Sequence, residues 1–442
     1  MQKPLLYKSL GILGLILLMS LAIGYVNDLI IERQARQASV ESDIARSSTA
    51  AQTLTGPILI IPYTEHYTET QGSGASQTDV EYKDERRVYL LPSALNLSGG
   101  FTHHYKQRGI FKALMYGLNG DLSGSFNLDQ IKLEPQRKGG KLVMGHPLLA
   151  IGLSDTRGID GQPVLNWDGQ KIALKQGSQL PLLSNGIHAD LGSLRPEQHT
   201  VDFKLNLHIR GMQKFDVIPL AEKNIVQLHS SWQHPHFDGN FLPDASSQKI
   251  DQHGFQAKWE ISSLSSSIQE TLLTKLDQRS ESISLEAISV GFVEPINIYS
   301  LSDRATKYGL LFIGLTFAGF FIFEVLKQLR IHPAQYAMVG LAMAVFYLLL
   351  ISLAEHIGFA YAYVIASLGC ISLIGYYLAN VMKNARFGLV FSFKLGLLYA
   401  TLYGILISED NALLMGSILI FSLLAFTMIV TRKVDWYALS HH

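Results

Sequence analysis

The chain has 442 residues, of which 16% are charged and 48% are hydrophobic, and its 36 basic residues balance its 36 acidic ones. A net charge of zero disfavours a nucleic-acid partner, because such a partner is bound by a basic surface. A single cysteine excludes an internal disulfide, so any folded domain must be stabilised by burial of apolar side chains.

The first 26 residues read as a short cytoplasmic N-terminus and a transmembrane helix. Met1–Ser9 carries two lysines and no acid, and Leu10–Val26 is continuously apolar or small. Two interpretations compete: a signal peptide cleaved near Ala22-Ile23-Gly24, and a retained anchor. The anchor is favoured because residues 27–51 lack Pro and Gly, are rich in Glu, Arg, Gln and Ala, and predict a helical connector.

Residues 52–308 change to the pattern of strands and turns. In Val201–Ile209 apolar and polar residues alternate, which is typical of a strand with one buried face. The chain here predicts a mostly antiparallel, sandwich-like β domain, in one or two subdomains. Further strands are predicted at Pro57–Tyr63, Arg87–Leu91, Phe101–Tyr105, Gly120–Leu128, Val226–Trp232, Gly254–Ser262 and Ile283–Ile298.

Gly-containing dipeptides and one apolar periodicity complete the predicted elements of this domain. Gln71–Thr78 reads as a loop tip, and Ser263–Gln278 has apolar residues near helical spacing. Turns are predicted at Gly139-Gly140, Asp160-Gly161, Asp168-Gly169 and Asp238-Gly239.

Residues 309–430 predict a bundle of five transmembrane helices, so that the first anchor makes six spans and 431–442 form a tail. The five apolar runs are Gly309–Leu326, Gln335–Leu353, Gly358–Val381, Phe387–Ile407 and Ala412–Val430. The fold class predicted is therefore an α+β membrane protein, with the β domain between helices 1 and 2.

Positive charge falls on alternate sides of these spans. Lys and Arg occur after the runs that end at Leu326, Val381 and Val430, whereas Ala354–Ile357 and Ser408–Asn411 hold only acidic charges. The positive-inside rule then places both termini in the cytoplasm. Residues 27–308 would lie outside, which is the periplasm if the membrane is the inner membrane of a Gram-negative bacterium.

Several motifs resemble the CreD family of inner-membrane proteins, in the same order and over nearly the whole chain. The stretches that carry the resemblance include Leu54–Pro57, Gly152–Gly158, Trp232–Pro243, Gly254–Trp259, Leu301–Tyr308, His332–Tyr336 and Asp435–Ser440.

The resemblance implies a role in cell-envelope integrity and envelope stress, with tolerance to a colicin and control by a two-component system, and it carries over no catalytic residue. We therefore expect a protein that is not an enzyme and has no cofactor, whose β domain binds an envelope component. The alternative is a component of a transporter or channel.

One candidate partner surface stands out in the β domain: Trp232, His234, His236, Phe237 and Phe241. A metal site at the histidines between 229 and 253 is conceivable, but solvated loop histidines are the simpler interpretation, so no metal is predicted. Pro235 between the two histidines indicates a turn. The aromatic residues read first as a core cluster and second as a binding surface.

Charges within the spans are the second lead, because ionisable residues in lipid are costly and are usually paired or functional. Glu324 is expected to snorkel towards water, and Glu355 to lie at the outer mouth. Lys394 would either snorkel or pair within the bundle, with Glu324 as one partner. A bilayer is the predicted partner, together with an envelope component or a membrane protein; a homo-oligomer stays open.

A polar junction motif precedes the second span. Asp303, Arg304 and Lys307 mark the entrance of the helix into the membrane, and Tyr308 suits the headgroup layer.

Overall fold

The computed structural model describes residues 3–71, 78–137, 139–194, 199–278, 284–292, 294, 297–327, 331–408 and 412–432. The chain forms two compact units. The helical unit contains Met1–Ser39 and Ile296–His442, and the β unit contains Val40–Pro295. The helices in the described residues are α1 (Lys3–Ser47), α2 (Ile268–Asp277), α3 (Ile298–Lys327), α4 (Pro333–Ile357), α5 (Phe359–Val381), α6 (Ala385–Ile407) and α7 (Ala412–Thr431).

The first helix joins the predicted anchor and the predicted connector into one element. Helix α1 continues without interruption from Lys3 to Ser47, so its last residues belong to the β unit. Its final turn is completed by Arg157, whose guanidinium donates to the carbonyl oxygens of Ala45 and Arg46. The last carbonyls of a helix have no partner within the helix, so this side chain ends α1 without leaving them unsatisfied.

The short turn that carries Arg157 also orients it. Asp155 caps the short 3-10 turn Thr156–Gly158 and accepts a hydrogen bond from Arg157 Nη2 at 2.6 Å. This guanidinium lowers the pKa of the Asp155 carboxyl, so the pair is ionised at neutral pH. Through Arg157, the motif Gly152–Gly158 therefore binds the end of α1 within the β unit.

The β unit consists of two mixed sheets. The nine-stranded sheet runs β14-β17-β12-β1-β6-β10-β9, with β2 and β5 also paired to β1; the eight-stranded sheet runs β15-β16-β13-β3-β4-β11-β7-β8. Only β1 with β12 and β3 with β13 are parallel among the described pairs, and the other pairs are antiparallel. The strands are β1 (Gln52–Gln71), β2 (Thr78–Leu90), β3 (Ala94–Arg108), β4 (Phe111–Asn127), β5 (Lys141–Met144), β6 (Leu148–Leu153), β7 (Val164–Trp167), β8 (Gln170–Ala173), β9 (Lys175–Gln176), β10 (Gly186–Asp190), β11 (Thr200–Met212), β12 (Lys214–Ile218), β13 (Lys223–Ser230), β14 (Pro235–Gly239), β15 (Lys249–Asp251), β16 (Gly254–Ser262) and β17 (Ile288–Phe292).

One hydrophobic core is shared by both sheets. The alternation predicted for Val201–Ile209 is confirmed, because every second side chain of β11 is buried. Across the core, Phe101 of the eight-stranded sheet contacts Phe215 of the nine-stranded sheet, with ring centroids 5.6 Å apart. Aromatic contacts of this kind add to the free energy gained from burial. The sandwich-like packing is thus observed, and the two sheets form one domain rather than two.

Helix α2 covers a second, smaller core on the β unit. Its residues Ile268, Leu272 and Leu276 are buried with Ile58 and Ile60 of β1. The apolar spacing predicted this helix, but it begins at Ile268 rather than Ser263, because Ser262 caps a separate 3-10 turn over Ser263–Ser265.

Two predicted turns have different outcomes. Asp168 and Gly169 do connect β7 to β8, and both have positive φ, 49° and 81°, as a tight hairpin requires. The turn predicted at Asp238-Gly239 is wrong, because these residues pair with Ser289 and Ile288 as the end of strand β14. The interior of the predicted loop tip Gln71–Thr78 lies outside the described residues.

Five helices of the described chain are long and apolar enough to cross a membrane: Tyr7–Ser47, Ile298–Glu324, Pro333–Ile357, Phe359–Val381 and Ala385–Ile407. At the position predicted for the sixth span the structure places helix α7, and the count of six spans stays a prediction.

Local caps set the starts of two of these helices. Helix α3 begins at Ile298, earlier than the predicted Gly309, because the side chain of Asn297 accepts a hydrogen bond from the backbone N–H of Tyr299 at 2.9 Å. Helix α4 begins in a capping box, in which His332 accepts from Ala334 N–H and Gln335 accepts from the backbone N–H of His332. Pro333 occupies the first helical position, where its missing N–H costs nothing.

Candidate functional site

The five residues of the candidate partner surface lie in and around strand β14. This short strand pairs with β17 and ends the path of the nine-stranded sheet. Pro235 begins the strand, so the turn predicted from this proline is wrong. A proline is tolerated here because an edge strand does not need every N–H for its ladder.

The aromatic members of this surface pack on the core. Trp232, Phe237 and Phe241 are half-buried against it, and Phe237 contacts Trp259 with ring centroids 5.6 Å apart. Trp259 Nε1 donates to the carbonyl oxygen of Phe241 at 3.2 Å. The first interpretation of these residues, a core cluster, is therefore the one the structure supports, and the exposed part of the surface consists of imidazoles.

His234 and His236 are exposed. Within the described part of the chain, no group of three or more His, Cys, Asp or Glu side chains is placed to hold a metal ion.

A half-buried histidine that contacts this surface was missed from the sequence. His103 lies on β3, 5.2 Å from the ring of Trp232 and 4.5 Å from that of Phe292, measured between centroids. Its Nδ1 is 3.2 Å from the Ser230 hydroxyl, whereas its Nε2 is buried without a hydrogen-bond partner. Burial, with a smaller effect of His104, lowers the pKa of His103 to about 4. The imidazole is therefore neutral at physiological pH. One signal in the sequence could have indicated its burial. His103 lies two residues after the core residue Phe101, so on a strand both side chains share one face.

In the helical unit, Glu324 is buried at one end of three helices. Its side chain is 7% exposed and forms an ion pair with Lys8 of α1. Oε2 accepts from the Tyr336 hydroxyl of α4 at 2.9 Å, and Oε1 accepts from the Ile331 N–H at 3.0 Å. Lys8 also donates to the Ile331 carbonyl oxygen at 2.8 Å. The prediction that Glu324 snorkels towards water is wrong, because a fully bonded cluster holds it inside the protein.

A second carboxylate is buried at the other end of the same helices. Glu355 of α4 is also 7% exposed at its side chain; Arg33 Nε of α1 lies 3.7 Å away. The hydroxyl of Tyr299, in the first turn of α3, donates to Glu355 at 3.0 Å. Each buried acid is thus neutralised by a cation of α1 and bonded by a tyrosine.

The spacing of these two clusters matches a bilayer. Lys8 and Arg33 are about 25 positions apart, which is about 37 Å of helix, slightly more than the hydrocarbon thickness of about 30 Å. Cleavage by a signal peptidase near Ala22-Ile23-Gly24 would remove Lys8 and leave the buried Glu324 carboxylate without its cation, which is strongly unfavourable. The structure therefore supports the retained anchor over the cleaved signal peptide.

The junction motif lies inside the first turns of α3. Lys307 Nζ pairs with Asp303 at 2.6 Å across one helical turn. Arg304 donates to the carbonyl oxygen of Leu406 on α6 at 3.5 Å, and Tyr308 is half-buried. Together with the Thr306 hydroxyl, 3.3 Å from the Asn27 side chain of α1, the motif ties α3 to its neighbours.

Lys394 does not pair with Glu324. It lies on an exposed face of α6 and makes no hydrogen bond or ion pair with the residues that the structure describes. Of the three membrane charges singled out from the sequence, two are therefore structural partners of α1, and the third faces away from the bundle.

Comparisons with known proteins agree with the membrane architecture. The sequence model of the family described as "Inner membrane protein CreD" matches residues 4–437. The inner membrane protein CreD of Escherichia coli (strain K12) is 33% identical over 440 residues, an alignment that covers all of this chain and 95% of that protein.

Replacing Glu324 by Gln should lower the free energy of unfolding by about 3 kcal/mol, because the ammonium group of Lys8 loses its counter-charge in a partly buried position. Thermal unfolding of the purified chain in detergent measures the loss. The double variant Lys8→Met with Glu324→Leu should recover most of it. The matched control, Asp303→Asn, breaks the more exposed pair with Lys307 and should change stability by at most about 1 kcal/mol. Equal effects of Glu324→Gln and the control would contradict this role.

The folded chain should lose stability as the pH falls from about 6.5 to about 4. The pKa of His103 in the fold is about 4, below its ordinary value of 6.5, so in this window the unfolded chain binds a proton that the fold rejects. Since His103 is partly exposed, we expect its contribution to the free energy of unfolding to be about 2 kcal/mol. Thermal midpoints followed by tryptophan fluorescence between these pH values measure it.

His103→Gln should remove that part of the pH dependence, whereas the control His104→Gln, at the exposed neighbouring position, should retain most of it. An unchanged pH profile for His103→Gln would show that other groups cause the effect.

Proposed function

Because this chain belongs to the CreD family of inner membrane proteins, we propose that it supports the integrity of the cell envelope without being an enzyme. In this proposal the β unit lies in the periplasm and binds an envelope component. The helical unit anchors it through six spans, with both termini in the cytoplasm.

Exposed charge near the helix ends supports this orientation. Lys383 between α5 and α6, Arg386 in the first turn of α6, and Arg432 after α7 are all exposed. By the positive-inside rule these ends face the cytoplasm, and the ends that carry Glu355 face the periplasm. Lys8 pairs with Glu324 near the end of α3, which supports an N-terminus on the same side as the basic connectors.

The state of the buried charges carries the functional part of the proposal. Transporters usually expose ionisable groups to a cavity near the middle of the membrane. Here both oxygens of Glu324 are bonded, and Glu355 is held by Arg33 and Tyr299. Carboxylates held in this way stabilise helix packing and leave binding to the β unit.

The alternative function, a component of a transporter or channel that uses Lys394 and Glu324, retains one supporting observation. Lys394 has no partner among the described residues, and an unpaired lysine within a span is unusual. Glu324 gives the transport alternative little support, because its carboxylate is already bonded to Lys8, Tyr336 and Ile331.

A reporter enzyme that is active only outside the cytoplasm should be active when it is inserted between Gln71 and Thr78, because this position belongs to the β unit. The matched control is the same reporter at Lys383-Asn384, which should show the opposite activity. Cytoplasmic activity at the hairpin tip would overturn the orientation.

A photo-crosslinking residue at His236 should capture an envelope component in living cells, because this side chain is exposed at the edge strand. The control position is Lys204, exposed on β11 of the other sheet.

The double variant His234→Ala with His236→Ala should reduce survival in an envelope-stress assay at unchanged protein level, whereas Lys394→Leu should not.

The opposite pattern, with Lys394→Leu inactive and the histidine variant active, would favour the transport alternative.

A further inference from the structure

Lys394 of the helical unit is exposed, and it pairs with no group among the described residues. Lys394 lies in the interior of α6, on an exposed face whose neighbours are apolar. Leu389, Val390, Phe393 and Leu397 are 70%, 49%, 75% and 64% exposed. An ammonium group at such a position is costly in hydrocarbon unless it reaches a polar partner.

Among the residues that the structure describes, none offers a counter-charge at this position. Helices α5, α6 and α7 contain neither Asp nor Glu. The two buried acids of the described spans, Glu324 and Glu355, are already paired with α1. A second copy of the chain would bring the same occupied carboxylates to the contact. The described residues therefore leave Lys394 without a counter-charge, which a group from outside the protein can supply.

A second cation lies on the same side of α6. Arg386 and Lys394 are eight positions apart with Val390 midway, so the three follow one face at i, i+4 and i+8. Arg386 is exposed in the first turn, and Lys394 is about two turns further inside. The long side chain of lysine can extend along the helix towards that end.

We propose that this face of α6 binds an anionic phospholipid. The phosphate lies between Arg386 and Lys394, and the acyl chains cover Val390, Phe393 and Leu397. Arginine and lysine form charge-assisted hydrogen bonds with phosphate oxygens, and basic groups on membrane helices recognise anionic headgroups in this way. A zwitterionic lipid satisfies the two cations less well, because its own ammonium group opposes them.

The full-length chain, reconstituted in nanodiscs of phosphatidylethanolamine with a minor fraction of phosphatidylglycerol, provides the test. After transfer to detergent, native mass spectrometry counts the retained lipids. Phosphatidylglycerol should be retained in preference to phosphatidylethanolamine. Lys394→Leu should weaken that retention about tenfold, the size expected for one charge-assisted contact. Lys394→Arg should preserve it, and the control Leu368→Ala, at an exposed apolar position of α5, should leave it unchanged.

Equal retention of the two lipids would overturn the proposal, and so would retention that is unaffected by both Lys394→Leu and Lys394→Gln. Capture of a membrane protein by a crosslinker at Lys394, with no lipid preference, would assign this face to a protein partner instead. The thermal midpoint of each variant shows whether it is folded. Because the readout is lipid retention, the result does not depend on the envelope role proposed above.

Discussion

The helical unit depends on the neutralisation of two buried carboxylates by cations of a single helix. In a medium of low polarity an isolated charge is severely destabilising, so a buried acid requires a fixed partner. Glu324 obtains it from Lys8 and Glu355 from Arg33, and in each case a tyrosine adds a hydrogen bond. Apolar packing alone would leave α1 able to slide or rotate, because lipid covers an apolar helix as well as another helix does. The two ion pairs fix its register.

The β unit solves a different problem, since it is built in water. Its two sheets share one core, and Phe101, Phe215 and Phe292 meet within it from different strands. The end of α1 is held there by Arg157 and Asp155 through hydrogen bonds to backbone and side chain. The same polypeptide thus uses buried charge to order helices in lipid and buried aromatic rings to order strands in water.

Periodic features of this molecule could be predicted from the sequence, and long-range pairings could not. Alternation predicted strand β11, and hydropathy predicted apolar runs that the structure forms as long helices, because both patterns are local. The Lys8–Glu324 pair joins residues 316 positions apart, and no local pattern records it. Strand order and the parallel pairs β1–β12 and β3–β13 also join residues far apart in the chain, so no local pattern predicts them.

The candidate surface shows a similar division. Clustered aromatic and imidazole side chains marked residues 232–241, but Pro235 and Asp238-Gly239 suggested turns where β14 pairs with β17. His103 comes to this surface from β3, more than a hundred residues earlier, so its contact with Trp232 could emerge only from the fold.

The two partners of the Lys8–Glu324 pair are synthesised at different times. Lys8 emerges from the ribosome long before Glu324, and at about 5–20 residues per second the interval is on the order of 15–60 s. During this interval the nascent anchor carries an unneutralised cation, and the whole β unit is made before the partner exists. The contact of α1 with α3 through this pair can therefore form only after the whole β unit has been synthesised.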